Sequence, residues 1–329
     1  MGEKIEKELK WAVLGTGVIA NEMAQALEKM GKKLYAVANR TYDKAVEFAE
    51  KYGVQKVYDK IEDMFTDKET DIIYITTPHN THIKFMIEAL KNGKHVLCEK
   101  SITLNSEELE EAVKIAKEKN LILGEAMTIF NMPLYTELLE IVNSGKLGDV
   151  KMIQVNFGSY KEYDMSNRFF NRNLAGGALL DIGVYAISIT RLFMISKPDN
   201  VLSQVKYAPT GVDEQVGIIM MNKEQQMSTI ALTLHSKQPK RVVIACEKAY
   251  IEITEYPRAD KAKIVYTETG EVEEITAGMT SNALQYELQN MEESVKTGIN
   301  KMKLEYTIDV MDIMTKLRKE WGMTYPEEE

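Results

Sequence analysis

Short apolar runs at residues 9–14, 34–38, 72–76, 95–98 and 121–126 alternate with stretches of helical period at 19–30, 43–52, 81–92 and 106–120. Strands buried on both faces read as continuous apolar runs, and parallel neighbours need a crossover between them, usually a helix. The first 127 residues therefore predict a doubly wound α/β domain around a parallel sheet. The punctuation agrees. Gly31 and Gly93 follow helical stretches where a left-handed residue closes a helix, and Asn80 and Asn105 stand where a side-chain cap is wanted.

After Met127 the rhythm changes. A helix over 133–144 ends at Gly145, 151–160 is extended and 178–194 is helical. Strand-like runs follow at 214–221, 226–234, 241–246, 250–254 and 262–267, with no long helix between them. Strands joined by short polar turns predict a large, mostly antiparallel sheet, open on one side, in an α+β domain. Helices over 282–297 and 306–321 close the chain. The organisation is two domains, 1–127 and 128–329, without a flexible linker. The crevice between them is the expected binding site.

The turn after the first run reads Gly15-Thr16-Gly17-Val18-Ile19-Ala20, which fits G-x-G-x-x-G/A between a strand and a helix. In that context Gly15 permits the tight turn, Gly17 lets the backbone approach a pyrophosphate, and Ala20 lets helix and strand pack closely. The helix N-terminus offers unpaired N–H donors to the anion. Residues 1–127 thus read as a Rossmann NAD(P)-binding domain. At the end of the second run, where a carboxylate would bind the ribose hydroxyls of NAD, the chain has Asn39-Arg40-Thr41. The planar fork of Arg40 suits a ribose phosphate, and Asn39 and Thr41 can donate hydrogen bonds, so NADP(H) is favoured and NAD(H) is the alternative. Ligands of open α/β sheets lie beyond the carboxyl ends of the strands. This adds Thr76, Thr77, Pro78, Asn80 and His82, then Glu99 and Lys100, to the cofactor side of the crevice. The competing readings are a solvated Arg40 and a structural Glu99–Lys100 ion pair at the domain seam.

Composition narrows the partners. The 329 residues carry a net charge of -9, with 41 basic residues spread along the chain, which leaves no footprint for nucleic acid or anionic lipid. A small molecule is the expected partner. Cys98 and Cys246 read as small buried apolar residues in a reducing compartment, and with no signal-like N-terminus the chain is expected in the cytoplasm. No apolar run approaches the roughly 20 residues that span a bilayer. His79, His82, His95 and His235 lack metal-ligand spacing, so no metal is expected. Glu125 faces either the cleft or the domain seam, and Arg168-Phe169-Phe170 either covers the substrate or buries its two rings.

Four motifs in order resemble the Gfo/Idh/MocA oxidoreductases, named from glucose-fructose oxidoreductase and inositol dehydrogenase. They are Gly-x-Gly-x-x-Ala, the stretch Thr77-Pro78-His79-Asn80-Thr81-His82, the pair Glu99-Lys100, and Gly176-Gly177-Ala178-Leu179-Leu180-Asp181-Ile182-Gly183-Val184-Tyr185. The resemblance implies an N-terminal Rossmann domain and a C-terminal open-sheet domain. It implies hydride transfer between a nicotinamide and a sugar, polyol or related carbonyl, with Lys100 in the active site. Many members carry Glu-Lys-Pro, where this chain has Ser101. The commoner Asp-x-Gly-x-His ends here in Tyr185, as in the branch that resembles dimeric dihydrodiol dehydrogenase and glucose-fructose oxidoreductase, where the tyrosine is the proposed acid/base. Tyr185, Lys100 and Asp181 are thereby the expected catalytic residues: Tyr185 moves the proton, Lys100 polarises the oxygen and lowers the tyrosine's pKa, and Asp181 orients the substrate from the same helical face. The resemblance also implies a homodimer through the open sheet. The same site would serve an NADPH-dependent reductase of a non-sugar carbonyl or imine, and a non-catalytic NADP(H) sensor is the rival from another class.

Overall fold

The computed structural model describes residues 8–329, so the first seven residues of the expected first domain lie outside it. Six parallel strands form the first sheet: β1 (Trp11–Leu14), β2 (Ala36–Ala38), β3 (Lys56–Tyr58), β4 (Ile72–Ile75), β5 (His95–Glu99) and β6 (Leu123–Ala126). Their order is β3-β2-β1-β4-β5-β6. Every residue of β1 and β4 is buried, because α1 (Val18–Lys29), α2 (Tyr42–Tyr52), α3 (Ile61–Thr66), α4 (His82–Lys91) and α5 (Ser106–Glu118) cover the sheet. The order reverses between β1 and β4, which is where a doubly wound sheet opens a crevice. The strand β3 has no counterpart among the predicted runs. It lies at the sheet edge with Tyr58 as its one buried residue, so it carries no apolar run.

Asn105 caps α5 as expected, its side chain accepting from the Glu108 N–H at 2.9 Å. Asn80 does not cap α4. It lies inside the 3-10 turn His79–Thr81, and its amide donates to Glu327 at 2.5 Å.

Beyond α6 (Thr128–Asn131) and α7 (Pro133–Asn143) comes β7 (Val150–Gly158), then a π-helical turn at Leu179–Gly183 that runs into α8 (Val184–Phe193). The second sheet is completed by β8 (Asn200–Tyr207), β9 (Asp213–Met221), β10 (Met227–Thr233), β11 (Gln238–Cys246), β12 (Ala249–Thr254), β13 (Lys261–Tyr266) and β14 (Val272–Thr276). It has eight strands in the order β14-β13-β12-β11-β7-β10-β9-β8. The β7–β10 pair is parallel and the other neighbours are antiparallel. Edge strands β8 and β14 escape the sequence pattern because their faces are mostly exposed and polar.

The inner face of this sheet packs on α8, all but wholly buried, and on α10 (Leu304–Glu320). By length and composition Arg172–Phe193 could cross a membrane, contrary to the expectation of no such stretch, but 83% of its apolar window is buried inside the protein. The domains are not separated strictly in chain order. The helix α9 (Ala283–Thr297) returns to the first sheet, where Leu284, Leu288 and Met291 join a core with Trp11, Val13 and Leu27.

Glu125 sits at the seam rather than in the cleft. Its carboxylate accepts from the Ile102 N–H at 3.1 Å and from the Thr307 hydroxyl at 3.0 Å. Burial pushes this carboxyl up to about 7 although both hydrogen bonds oppose the rise. Between about 4.5 and 7 the unfolded chain has released this proton and the folded chain retains it, so stability falls as pH rises through that window. Glu125→Gln keeps both partners and removes the fall. Urea titrations at pH 5 and pH 8 should show the wild type losing up to about 3 kcal/mol more than the variant; equal losses would contradict this protonation.

Candidate active site

The site begins where β1 and β4 part. Gly15 has φ +109°, and a Cβ there would stand 2.5 Å from the Thr76 hydroxyl, which itself donates to the Leu14 carbonyl at 3.0 Å. No other residue fits both the dihedral and the space. Gly17 opens α1, and a Cβ on it would meet nothing within 4 Å, so the backbone faces open cleft.

A cleft of about 470 Å³ starts at this turn. Gly17, Val18 and Ile19 line it on one side, followed by Thr76, Thr77, Pro78 and His79 after β4 and by Glu99 and Lys100 at the end of β5. Arg168, Leu174 and Tyr185 line it from the second domain. Of the expected cofactor residues, Gly17, Val18 and Ile19, the set after β4 through Pro78 and the Glu99–Lys100 pair are thus brought together, while Gly15 packs against Thr76 and Thr16 is not in the lining. Asn39 and Arg40 stand one strand over, beside Gly15, whose N–H donates to the Ala38 carbonyl at 2.8 Å. The Asn39 amide donates to the Thr41 carbonyl at 3.0 Å, and Arg40 is exposed with no hydrogen bond or ion pair among the described residues.

Two expected cofactor contacts point elsewhere. His82 is fully buried, with one ring nitrogen against the Thr77 carbonyl at 2.7 Å and the other against the Ser101 carbonyl at 3.0 Å. It ties the two strand-end loops together and is screened from the cleft. Asn80 is engaged by Glu327 and the Asn173 carbonyl. His79, absent from the expected set, takes the place in the wall; its position three residues before His82 in the same motif is the signal that could have found it. Burial, His82 and the Lys100 charge push its imidazole down to about 3, so it is neutral, and Nε2–H donates to the Lys100 carbonyl at 3.0 Å.

The three expected catalytic residues do converge. The Lys100 ammonium donates to the Asp181 carbonyl oxygen at 2.7 Å and to its Oδ1 at 3.3 Å, and lies 4.9 Å from the centre of the Tyr185 ring. The Lys100–Ser101 peptide is cis. Asp181 belongs to the π-helical turn, a feature frequent at functional positions, and its carboxylate faces Lys100 and, at 3.8 Å, Arg168. The turn is held from behind. Gly177 has φ +125°, a Cβ there would collide with Asp213, and Asp213 accepts the Leu179 N–H at 2.6 Å.

Burial pulls the Lys100 ammonium down, but Asp181, Tyr185 and Glu99 outweigh it and hold its pKa above the usual lysine value. For Asp181, burial pushes up while Lys100 and Arg168 prevail and hold it below the carboxylate range. For Tyr185 the balance reverses the expectation. Burial raises the phenol above its ordinary value, Lys100 works against this without overcoming it, and Glu99 and Asp181 add to the rise. The free site therefore presents an ammonium, a carboxylate and a protonated phenol. Glu99 beneath them accepts from the Tyr74 hydroxyl. Among the described residues no three His, Cys, Asp or Glu side chains converge as a metal site.

A family profile described as an oxidoreductase family with an NAD-binding Rossmann fold matches residues 9–127, and the Gfo/Idh/MocA C-terminal domain matches 135–252. The chain belongs to the Gfo/Idh/MocA oxidoreductases. Within this family it is 30% identical to a trans-1,2-dihydrobenzene-1,2-diol dehydrogenase of Xenopus laevis, over 96% of this chain and 99% of the relative. It is 26% identical to the protein of that name from Homo sapiens, covering 97% and 99%. The fold is shared with a 3-ketoreductase from Actinomadura kijaniata solved with NADP and TDP-benzene, at TM-score 0.85 and 19% identity over 95% of this chain and 98% of that one. It is also shared with a levoglucosan dehydrogenase solved with NADH and levoglucosan, at TM-score 0.84 and 17% identity over 94% and 97%. Gfo/Idh/MocA membership makes the chain an NAD(P)-binding oxidoreductase. The residues present suit a dinucleotide, because Gly17 leaves the space at the α1 N-terminus that a pyrophosphate would fill.

Proposed function

We propose that this protein is an NADP(H)-dependent oxidoreductase that interconverts a hydroxyl and a carbonyl on a sugar, polyol or related vicinal diol. The observation that carries the reading is the Lys100 ammonium held between Asp181 and the face of Tyr185, in the wall of the dinucleotide cleft. Two relatives named for vicinal diols and a structural neighbour bound to a sugar anhydride support the substrate class.

A bound nicotinamide supplies hydride transfer. The protein's own residues do the rest. Lys100 donates to the substrate oxygen where negative charge develops, and its two bonds to Asp181 fix where that donor points. Tyr185, a phenol in the free site, gives its proton to a carbonyl on reduction and must lose that proton before it can accept one on oxidation. The neutral His79 adds no further positive charge to this wall.

Arg40 is the proposed holder of the ribose phosphate. Fluorescence titration should show NADPH binding at least about tenfold tighter than NADH, with Arg40→Ala removing that preference. Equal affinities in the wild type would assign the cofactor otherwise.

A homodimer through the open face of the second sheet completes the proposal. Met152, Leu202, Ile219 and Tyr250 are exposed on that one face, an apolar surface that a second copy would cover. Light scattering should give the mass of two chains, reduced to one by Leu202→Lys with Ile219→Lys.

A further inference from the structure

The second-domain wall of the cleft holds more positive charge than proton transfer uses. Lys161 Nζ and Arg168 Cζ lie 4.0 and 4.2 Å from the centre of the same Phe169 ring. Arg168 in turn approaches, at 3.8 Å, the Asp181 oxygen that Lys100 reaches at 3.3 Å. Lys161, Phe169, Arg168, Asp181 and Lys100 therefore form one row that ends at the Tyr185 ring. Three cations share one carboxylate in this row. The other carboxylate on the cleft, Glu99, accepts from Tyr74, and the nearby Lys240 is already paired with Glu255 at 2.9 Å.

The two outer cations are open to a ligand. Arg168 is 60% exposed, and its approach to Asp181 is longer than a hydrogen bond, so the donors of its fork are unused. Among the described residues the Lys161 ammonium has no hydrogen bond or ion pair, only the face of Phe169. Burial first, and then the charges of Arg168 and Lys100, hold Lys161 below the usual lysine range against the pull of Asp181. Like charges crowded in a partly buried wall are unfavourable until an anion arrives.

We propose that Arg168 and Lys161 form an anion subsite beside Lys100, so that the substrate is a polyhydroxy compound carrying a carboxylate or a phosphate. The inference rests on the reading of this cleft as the site of alcohol–carbonyl interconversion and specifies its substrate class. Arg168 presents the planar fork that grips either anion through two parallel bonds, and Lys161 adds a point charge. Because Arg168 and Lys100 share one Asp181 oxygen, the anionic group lies within a few bonds of the reacting carbon.

The test is calorimetric titration of the NADPH-loaded protein with sorbitol, gluconate and sorbitol 6-phosphate. It is run on the wild type and on Arg168→Gln with Lys161→Gln. The wild type should bind at least one of the two anions about tenfold or more tighter than sorbitol, a preference equivalent to about one charge-assisted contact. The better anion identifies the group. In the double variant the preference should shrink to about twofold, with NADPH affinity unchanged. Four results would overturn the proposal: sorbitol binding as tightly as both anions, none of the three binding, discrimination surviving in the double variant, or a double variant that loses NADPH instead, which would give these cations to the cofactor. Failure of the wild type to bind NADPH would overturn the underlying functional reading as well, and so is distinguishable from the other four.

Discussion

Tyr185→Phe is expected to lower kcat for reduction by about 10²- to 10⁴-fold, the range for loss of a positioned proton donor. The substitution removes one hydroxyl from a ring that also packs 6.1 Å from Phe157. Packing and NADPH affinity should therefore survive. The loss should fall equally on kcat and kcat/KM, because the proton moves only in the transition state. If Tyr185→Phe kept more than about a tenth of wild-type turnover, the proton would have to come from another group.

Lys100→Met is expected to cost about 10²- to 10³-fold, comparable to losing one donor at a developing oxyanion. Two further effects separate a missing donor from a damaged fold. Without the ammonium, Asp181 keeps the 3.8 Å approach of Arg168 and the weaker pull of Lys161 in a buried setting, so its carboxyl should titrate higher. Tyr185 also loses the one neighbouring cation that most restrains its rise, so the oxidative pH profile should move further alkaline. The double variant should be about as slow as the slower single variant, since the two residues act on one oxygen. Multiplicative losses, measured by stopped-flow turnover, would mean that Lys100 and Tyr185 act separately.

What the chain revealed in advance depended on how local each signal is. The turn from Gly15 to Ala20 could be read because its dihedral and spacing requirements lie within six residues. Lys100, Asp181 and Tyr185 could be proposed together only through a family resemblance, since neither periodicity nor spacing relates positions 81 residues apart; the fold brings Lys100 within hydrogen-bonding reach of Asp181 and 4.9 Å from the centre of the Tyr185 ring. The strands β3, β8 and β14 were missed because edge strands need no apolar run. For α9 the helix was evident but not its destination, since the spacing of Leu284, Leu288 and Met291 specifies an apolar stripe without saying which sheet it covers. The sign of the Tyr185 shift depends on burial, which a sequence does not display, and so the expectation of a lowered phenol pKa was reversed. The same blindness placed His82 on the cofactor, whereas its two carbonyl partners hold it inside.

The most direct measurement is the pH dependence of kcat/KM for NADP-linked oxidation of a trans-diol, comparing the wild type with Tyr185→Phe between about pH 6 and pH 10. Tyr185 is raised above its ordinary value, so the accepting phenolate keeps growing with pH across this range, and the wild-type rate should climb with it. The variant should lie at least about a hundredfold lower on a profile without that slope. Superimposable profiles would show that Tyr185 does not carry the proton.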